Sequence, residues 1–509
     1  MKTILFLSDS VNRRFLSLYN ESGLKLPNLE RLAARSVIFD NHFTASAPCM
    51  PARRDIMTGR VNFLERNWGP IEPIDDTMPA VLGRLGVFSH METDHYHYLE
   101  TGGGEYCQRF SSWVCHRGQE TDVNCSKLGA EEPPKHIGTM NKQYWRNRKD
   151  FCHDESLYPS AVTITEAATW LEEHRDCDNF LLWIEPFDPH EPFDVPQKYL
   201  DMVGDDYDGA LYMWPEYRQV DLAGVTPDQL EHVKKRYLAL LLMVDTYLGY
   251  LLDVMDKYNM WDDTAFIYTT DHGYMLGEHN YMAKNYMPAY NEVFHIPFVL
   301  HLPGDAHAGE RISSLTQNID ILPTLVDLYG STPAEVCRNP LHGKSLIPLV
   351  NGDVEKLREG AIFGLFGKQM NVTDGRFTYM RSPTEDNRPL NVYTTSLAHN
   401  KRFYDADRLT DPALIECGQF LPWTRFPVYK IPADIVRDNA GKNMRYIYLY
   451  EWEKEDRLFD HENDYAQENN IVDSEPETVD RLCKLMASVM QGYGAPEEQF
   501  ERMRLGEYR

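Results

Sequence analysis

The stretch Cys49-Met50-Pro51-Ala52-Arg53-Arg54-Asp55-Ile56-Met57-Thr58-Gly59-Arg60 joins a nucleophile, a helix start and a basic clamp for an anion. Pro51 presets φ for a first helical turn and lacks the N–H that would be orphaned there, while Gly59 suits the left-handed residue that ends a helix. The sequence therefore predicts an active-site helix that opens at an exposed Cys49, where free backbone N–H groups and the positive dipole end favour an oxyanion. Arg53, one turn on, can reach back to Cys49 and to a tetrahedral anion beside it. Three polar clusters follow apolar runs: Asp9 after Thr3 to Ser8, Asp188-Pro189-His190 after Phe180 to Ile184, and Asp271-His272-Gly273 after Ala265 to Thr270. In open parallel sheets the carboxyl ends of the strands line the ligand crevice. Two carboxylates and an imidazole converging at that rim make a metal site, although any one cluster alone also suits a turn or a helix cap.

The elements that must position these residues are legible as continuous apolar runs, to which Ser36 to Phe39 and Pro297 to His301 belong. Such runs, separated by helical periodicity, predict an α/β fold with a mostly parallel central sheet flanked by helices. The best helix runs from Pro227 to about Lys257, with Thr226 and Gln229 as a capping box and an apolar stripe that reads as core. Between about Gly102 and Asp154 the periodicity stops; Trp113, Arg117, Tyr144, Trp145, Arg146 and Arg148 suggest an ordered specificity loop. After Leu349 shorter alternating runs, such as Arg376 to Met380 and Arg445 to Tyr450, predict a smaller α+β domain with an antiparallel sheet, closed by a helix from Pro476 to about Met490. Residues 1–355 are thus read as a catalytic domain and 356–509 as the smaller C-terminal domain.

A chain of 509 residues can bury a large core, and its formal charge of −27 argues against a nucleic-acid partner. The apolar run at Ile4 to Leu7 is too short for a secretion signal or a bilayer span. An odd number of cysteines, nine, suits a reducing compartment, so a cytoplasmic protein away from membranes is expected. Cys107, Cys115 and Cys125 form no C-x-x-C pair, which disfavours structural zinc. Oligomeric state is not legible, and a homo-oligomer stays open.

The C-x-P-x-R pattern at Cys49 to Arg53, extended by Thr58-Gly59-Arg60, resembles the signature of the type I sulfatases of the alkaline phosphatase-like superfamily. The resemblance implies that a formylglycine-generating enzyme oxidises Cys49 to formylglycine. The hydrated aldehyde would attack sulfur through one hydroxyl, and the other would later lose its proton to expel sulfate. It also implies one divalent metal held by Asp9, Asp271, His272 and the group at Cys49. Ser10 replaces the family's second aspartate, so the family's calcium loses ground to manganese or zinc. Pro186 to Pro192 is similar to the segment that offers a histidine, here His190, to the sulfate or leaving oxygen. Lys284 matches the lysine that contacts sulfate. In Asp94-His95-Tyr96-His97, His97 keeps the place of the family's general base, while His95 replaces a lysine that binds substrate. The bound anion and nearby Asp94 are expected to keep His95 charged, so that activity would fall as pH rises. Asn318 to Leu325, Gly343 to Leu346 and Arg457 to Asp460 resemble late structural motifs of the family. The implied substrate is a small-molecule or saccharide sulfate ester. A phosphonate monoester or phosphodiester hydrolase, and more remotely a binding protein with a dead site, are the alternatives.

Overall fold

The computed structural model describes residues 1–124, 132–399, 402–404, 411–435 and 453–509. Cys125 and Arg445 to Tyr450 lie outside the described residues. The strands that matter for the site are β1 (Lys2–Leu7), β2 (Val37–Phe39), β3 (Ser46–Ala47), β4 (Phe88–Thr93), β5 (Ser112–Cys115), β6 (Phe180–Glu185), β7 (Thr264–Thr269), β8 (Phe298–His301), β9 (Arg311–Ile312), β10 (Ala361–Leu365), β11 (Met370–Thr373), β12 (Phe377–Arg381) and β13 (Arg457–Asp460). One sheet has the order β9-β2-β8-β7-β1-β6-β4-β5. Only β8 runs antiparallel to its neighbours, so the expectation of a mostly parallel sheet holds for every strand-end cluster read from the sequence.

Continuous burial explains the apolar runs: β1, β6 and β7 are buried along their whole length, covered on both faces. On one face lie α3 (Pro159–Glu173) and α4 (Pro227–Lys257), and on the other lies α1 (Cys49–Thr58). Helix α4 starts with the predicted Thr226/Gln229 capping box. It is long and apolar enough to cross a bilayer, but 78% of its most apolar window is buried in the protein, as a core helix requires. Register then sets the rim. Leu7 pairs with Thr269, so Asp9 and Asp271 leave their strands side by side, and Thr93 pairs with Glu185, which brings the 94–97 and 186–190 turns together.

A second sheet has the order β13-β12-β11-β10-β3. Its edge strand β3 belongs to the N-terminal part of the chain and leads into α1, so the second sheet abuts the active-site helix. The core behind it mixes Ala45, Val61, Phe63 and Ile319 with Met370, Val372, Leu482 and Met486, the last two from α5 (Pro476–Gly492). The stretch from 102 to 154, read as an unpatterned specificity loop, instead supplies edge strand β5 and helix α2 (Lys142–Arg148). Tyr144 and Arg148 are spent on Asp194 and Arg117 on Asp122, so these residues hold the fold.

Candidate active site

Helix α1 is anchored from both ends. Asp55 accepts the N–H groups of Ser46 at 2.7 Å and Asn62 at 2.8 Å, and Gly59 closes the helix at φ 63° with its N–H on the Asp55 carbonyl. Asn318 accepts the Ala45 N–H at 3.0 Å, so one of the late motifs braces the approach to the helix. Every residue of α1 is buried. The expectation of an exposed Cys49 is corrected: it is 2% exposed, roofed by His272, Lys284 and the carboxylates of the rim. Burial, and then Asp9, push its thiol well above the ordinary range.

Asp9, Cys49, Asp271 and His272 each offer a ligand atom, all within 4.8 Å of one another. His272 Nε2 lies 3.3 Å from Cys49 Sγ and 3.2 Å from an Asp271 oxygen. His272 Nδ1 sits 2.9 Å from the Gly273 carbonyl, which fixes its proton there and leaves the Nε2 lone pair toward the donors. Two carboxylates, an imidazole and a sulfur or oxygen at position 49 are a coherent donor set for one divalent ion.

Arg53 binds all three acidic walls of this rim. Its Nε donates to Glu185 at 2.6 Å, Nη1 to Asp271 at 2.5 Å, and Nη2 to Asp9 at 2.8 Å. Every member is fully buried. Glu185 was missed from sequence; it ends strand β6 and also accepts from Tyr98 at 2.8 Å and Trp183 at 2.8 Å. Burial raises its carboxyl to about 7, against the pull of Arg53. Asp9 goes the other way: burial is opposed by Lys284 and Arg53, and these hold it well below the usual carboxylate range.

Ser10, in place of the second acid, sits at φ 65° and donates its hydroxyl to Asp9 at 2.6 Å. Lys284 donates to that hydroxyl at 2.8 Å and lies 3.5 Å from Cys49 Sγ, with Asp9 at 3.7 Å. Thus Lys284 stands beside the nucleophile position, flanked by Ala283 and Asn285 at φ 72° and 89°.

The histidines take different places from those expected. His97 lies between Glu100 at 2.7 Å and Glu120 at 3.2 Å, one at each ring nitrogen, and these carboxylates raise its pKa despite burial. Both ring nitrogens of His97 thus face carboxylates. His190 differs. Its Nδ1 lies 2.6 Å from the Glu191 carbonyl, and burial with Lys284 lowers its pKa to about 3, so Nε2 is the unprotonated nitrogen. His95 is fully buried with no hydrogen bond at either ring nitrogen, 3.6 Å from Asp9 and packed against Phe187 at 4.9 Å. Burial, and then Arg53, lower its pKa well below the ordinary value, so the expected imidazolium is corrected to a neutral ring. Asp94 does not act on His95. Its carboxylate accepts from Phe187 N–H, Gln119 and Ser160 and so ties the 94–97 turn to the 186–190 turn. Asp188 stays outside the donor set; burial, and then Asp94, raise its carboxyl.

These contacts gather Arg53, Lys284 and position 49 at one buried rim, beside donors that could hold one cation. The sulfatase family model matches residues 2–331. Among curated proteins, the chain is 24% identical over 401 residues to an N-acetylglucosamine-6-O-sulfatase of Bacteroides thetaiotaomicron, covering 69% of this chain and 71% of that one. It is 25% identical over 416 residues to a choline-sulfatase of Rhizobium meliloti, covering 74% and 77%. Among solved structures, the phosphonate monoester hydrolase of Agrobacterium radiobacter superposes with a TM-score of 0.67 at 19% identity, covering 97% of this chain and 96% of that chain. A structure holding its substrate D-glucosamine-2-N,6-O-disulfate gives 0.63 at 17%, covering 97% and 98%. With its rim, its register and the family match over most of its length, the chain belongs to the sulfatase family, with the alkaline phosphatase-like fold.

Proposed function

We propose that this sulfatase hydrolyses the sulfate monoester of a saccharide or another small alcohol, using formylglycine made from Cys49 and one divalent ion. The observation that carries the reading is the convergence of Asp9, Cys49, Asp271 and His272 beneath Arg53 and Lys284. Asp9, Asp271, His272 and the group at position 49 would hold the ion, whose chemistry is to polarise the ester and favour a deprotonated oxygen nucleophile. Formylglycine would supply that nucleophile as a hydrated aldehyde. Arg53, fixed by three carboxylates, orients the group at position 49. Lys284 supplies a fixed positive charge to the sulfate, since burial is outweighed by Cys49 and Asp9, which raise its pKa. His190 presents Nε2 as a proton acceptor, while His97 keeps a proton at the edge of the pocket. The saccharide class is supported by the N-acetylglucosamine-6-O-sulfatase relative, and eight free cysteines among the described residues support a reducing compartment.

Mass spectrometry of the Cys49 peptide tests the reading: active protein should carry the aldehyde, and Cys49→Ser should stall or be nearly dead because a serine sulfate ester has no second hydroxyl on its carbon to re-form a carbonyl and expel sulfate. Activity that follows the thiol form would refute it. Phosphonate monoester hydrolysis is the second reading, favoured by the Asp271-His272 pair, by Ser10 and by the superposition on the Agrobacterium enzyme. Relative kcat/KM on an aryl sulfate and an aryl phosphonate monoester separates the two.

A further inference from the structure

Arg13 is a buried guanidinium without a counter-ion among the described residues. It is 6% exposed. Its Nη1 donates to the Asp40 carbonyl at 2.7 Å and lies 2.5 Å from His295 Nε2, and its Nε is buried with no acceptor. The carboxylates nearby are engaged elsewhere: Asp40 with Arg311 and Glu292 with Arg14. His295 supplies no countercharge: burial, and then Arg13, lower its pKa well below the ordinary value, and its Nε2 lies 2.8 Å from the Asp40 carbonyl as well as beside Arg13. On its other side His295 Nδ1 lies 3.3 Å from the Tyr465 hydroxyl. A buried charge is ordinarily paired, because an isolated one loses its hydration without return.

Arg13, Arg14, Tyr19, Asn20 and Tyr465 enclose a pocket of about 230 Å³, open to a neighbouring cleft along Ser22 to Lys25. Tyr19 is a wall: its hydroxyl already bonds the Phe298 backbone, and its ring lies under the Arg13 guanidinium at 4.1 Å. Around the pocket and its cleft Arg13, Arg14 and Arg311 meet the carboxylates of Asp40, Glu292 and Glu278, yet none of these pairs with Arg13, and the unspent donors are those of Arg13 and Arg14. From this we infer that the pocket is a binding site for a tetrahedral oxyanion, separate from the catalytic rim. The site is independent of the catalytic reading, since Arg13 touches none of Asp9, Cys49, Asp271 or His272.

Calorimetric titration of the full chain with inorganic sulfate, with chloride holding ionic strength constant, tests the inference. The wild-type isotherm should contain a component that Arg13→Gln weakens at least tenfold. Binding of sulfate at the catalytic rim is read separately, as competitive inhibition of turnover, and its inhibition constant and kcat should stay within twofold. Identical isotherms overturn the inference, as does an inhibition constant that weakens in step with the lost component. Should Arg13→Gln fail to fold, Arg14→Gln should weaken the same component about threefold to tenfold, and no change overturns it.

Discussion

Replacing Glu185 by glutamine tests whether Arg53 acts because it is held. The carboxylate accepts from Arg53, Tyr98 and Trp183 at 2.6, 2.8 and 2.8 Å with no exposure to water. Glutamine has one oxygen to offer. Turned toward Arg53, it sets its NH2 group against the Trp183 N–H, which can only donate; turned the other way, it sets NH2 against the guanidinium. The first arrangement loses a charge-assisted bond, about 1.5–3 kcal/mol, and orphans a buried donor, about 1–3 kcal/mol. Burial already pushes the Glu185 carboxyl up to about 7, so the ionised form carries a desolvation cost that glutamine lacks. The net loss should therefore fall in the lower part of the summed range, about 2.5–3.5 kcal/mol of stability. Urea unfolding at pH 8, where the carboxyl is ionised, measures it. Arg53 keeps Asp9 and Asp271 but is then held by a neutral amide oxygen in place of a carboxylate, which loosens its tilt, and a misplacement of about 1 Å costs up to about a hundredfold in rate. So kcat on an aryl sulfate should drop between about tenfold and a hundredfold with KM changing less. A variant that loses the stability but keeps kcat within twofold would show that Asp9 and Asp271 alone place Arg53.

Chelation, or Asp271→Ala, should abolish turnover with the far-ultraviolet circular dichroism unchanged, because the donors leave strands already held by the core; loss of the fold before activity would mark the site as structural. Lys284→Ala should lower kcat/KM by about 10²–10³, the range for one preorganised anion donor, and Ser10→Ala, which removes the hydroxyl between Lys284 and Asp9, should lower it less. Asp460, bonded to Arg376 at 2.9 Å and to Asn463, has its pKa lowered to about 2. Because the folded-state pKa is depressed, its contribution is present above about pH 4 and lost as pH falls through about 2. Arg376 is half exposed, so Asp460→Asn should cost no more than about 1 kcal/mol at pH 7, a gap that narrows on acidification in thermal melts.

What could be read from the sequence follows the apolar pattern closely. Strands β1, β6 and β7 are continuous apolar runs because both faces are covered, and the residues after them had to appear at one rim. Strand β4 was not legible for the opposite reason: its Ser89, His90 and Glu92 look like a polar loop but are buried and satisfied across the strand, His90 by Ser112 and Glu92, and Glu92 by His116. Glu185 was hidden in the same way. An acid closing the run Phe180 to Ile184 reads as the start of a turn, and only the Arg53 guanidinium turns it into part of the site. The histidine charges were not legible for a further reason, since a pKa depends on neighbours brought in from distant segments. Glu120 reaches His97 from the stretch read as a specificity loop, while Arg53 and burial discharge His95.

Charge explains why this rim can dispense with a second aspartate. Asp9, Asp271 and Glu185 face Arg53 and Lys284, so the buried carboxylates are almost neutralised before any ion is counted. Another acid at position 10 would stand where Ser10 now donates to Asp9 at 2.6 Å, and two carboxylates that close cannot both ionise without a cation between them. The hydroxyl instead hands Lys284 to Asp9, which keeps the ammonium close to position 49. A rim built this way attracts a divalent ion less strongly by charge and selects it more by its imidazole and by the atom at position 49. The same exchange places a fixed cation, rather than a further anion, next to an incoming sulfate, which favours the negatively charged substrate over the metal as the partner this position recognises.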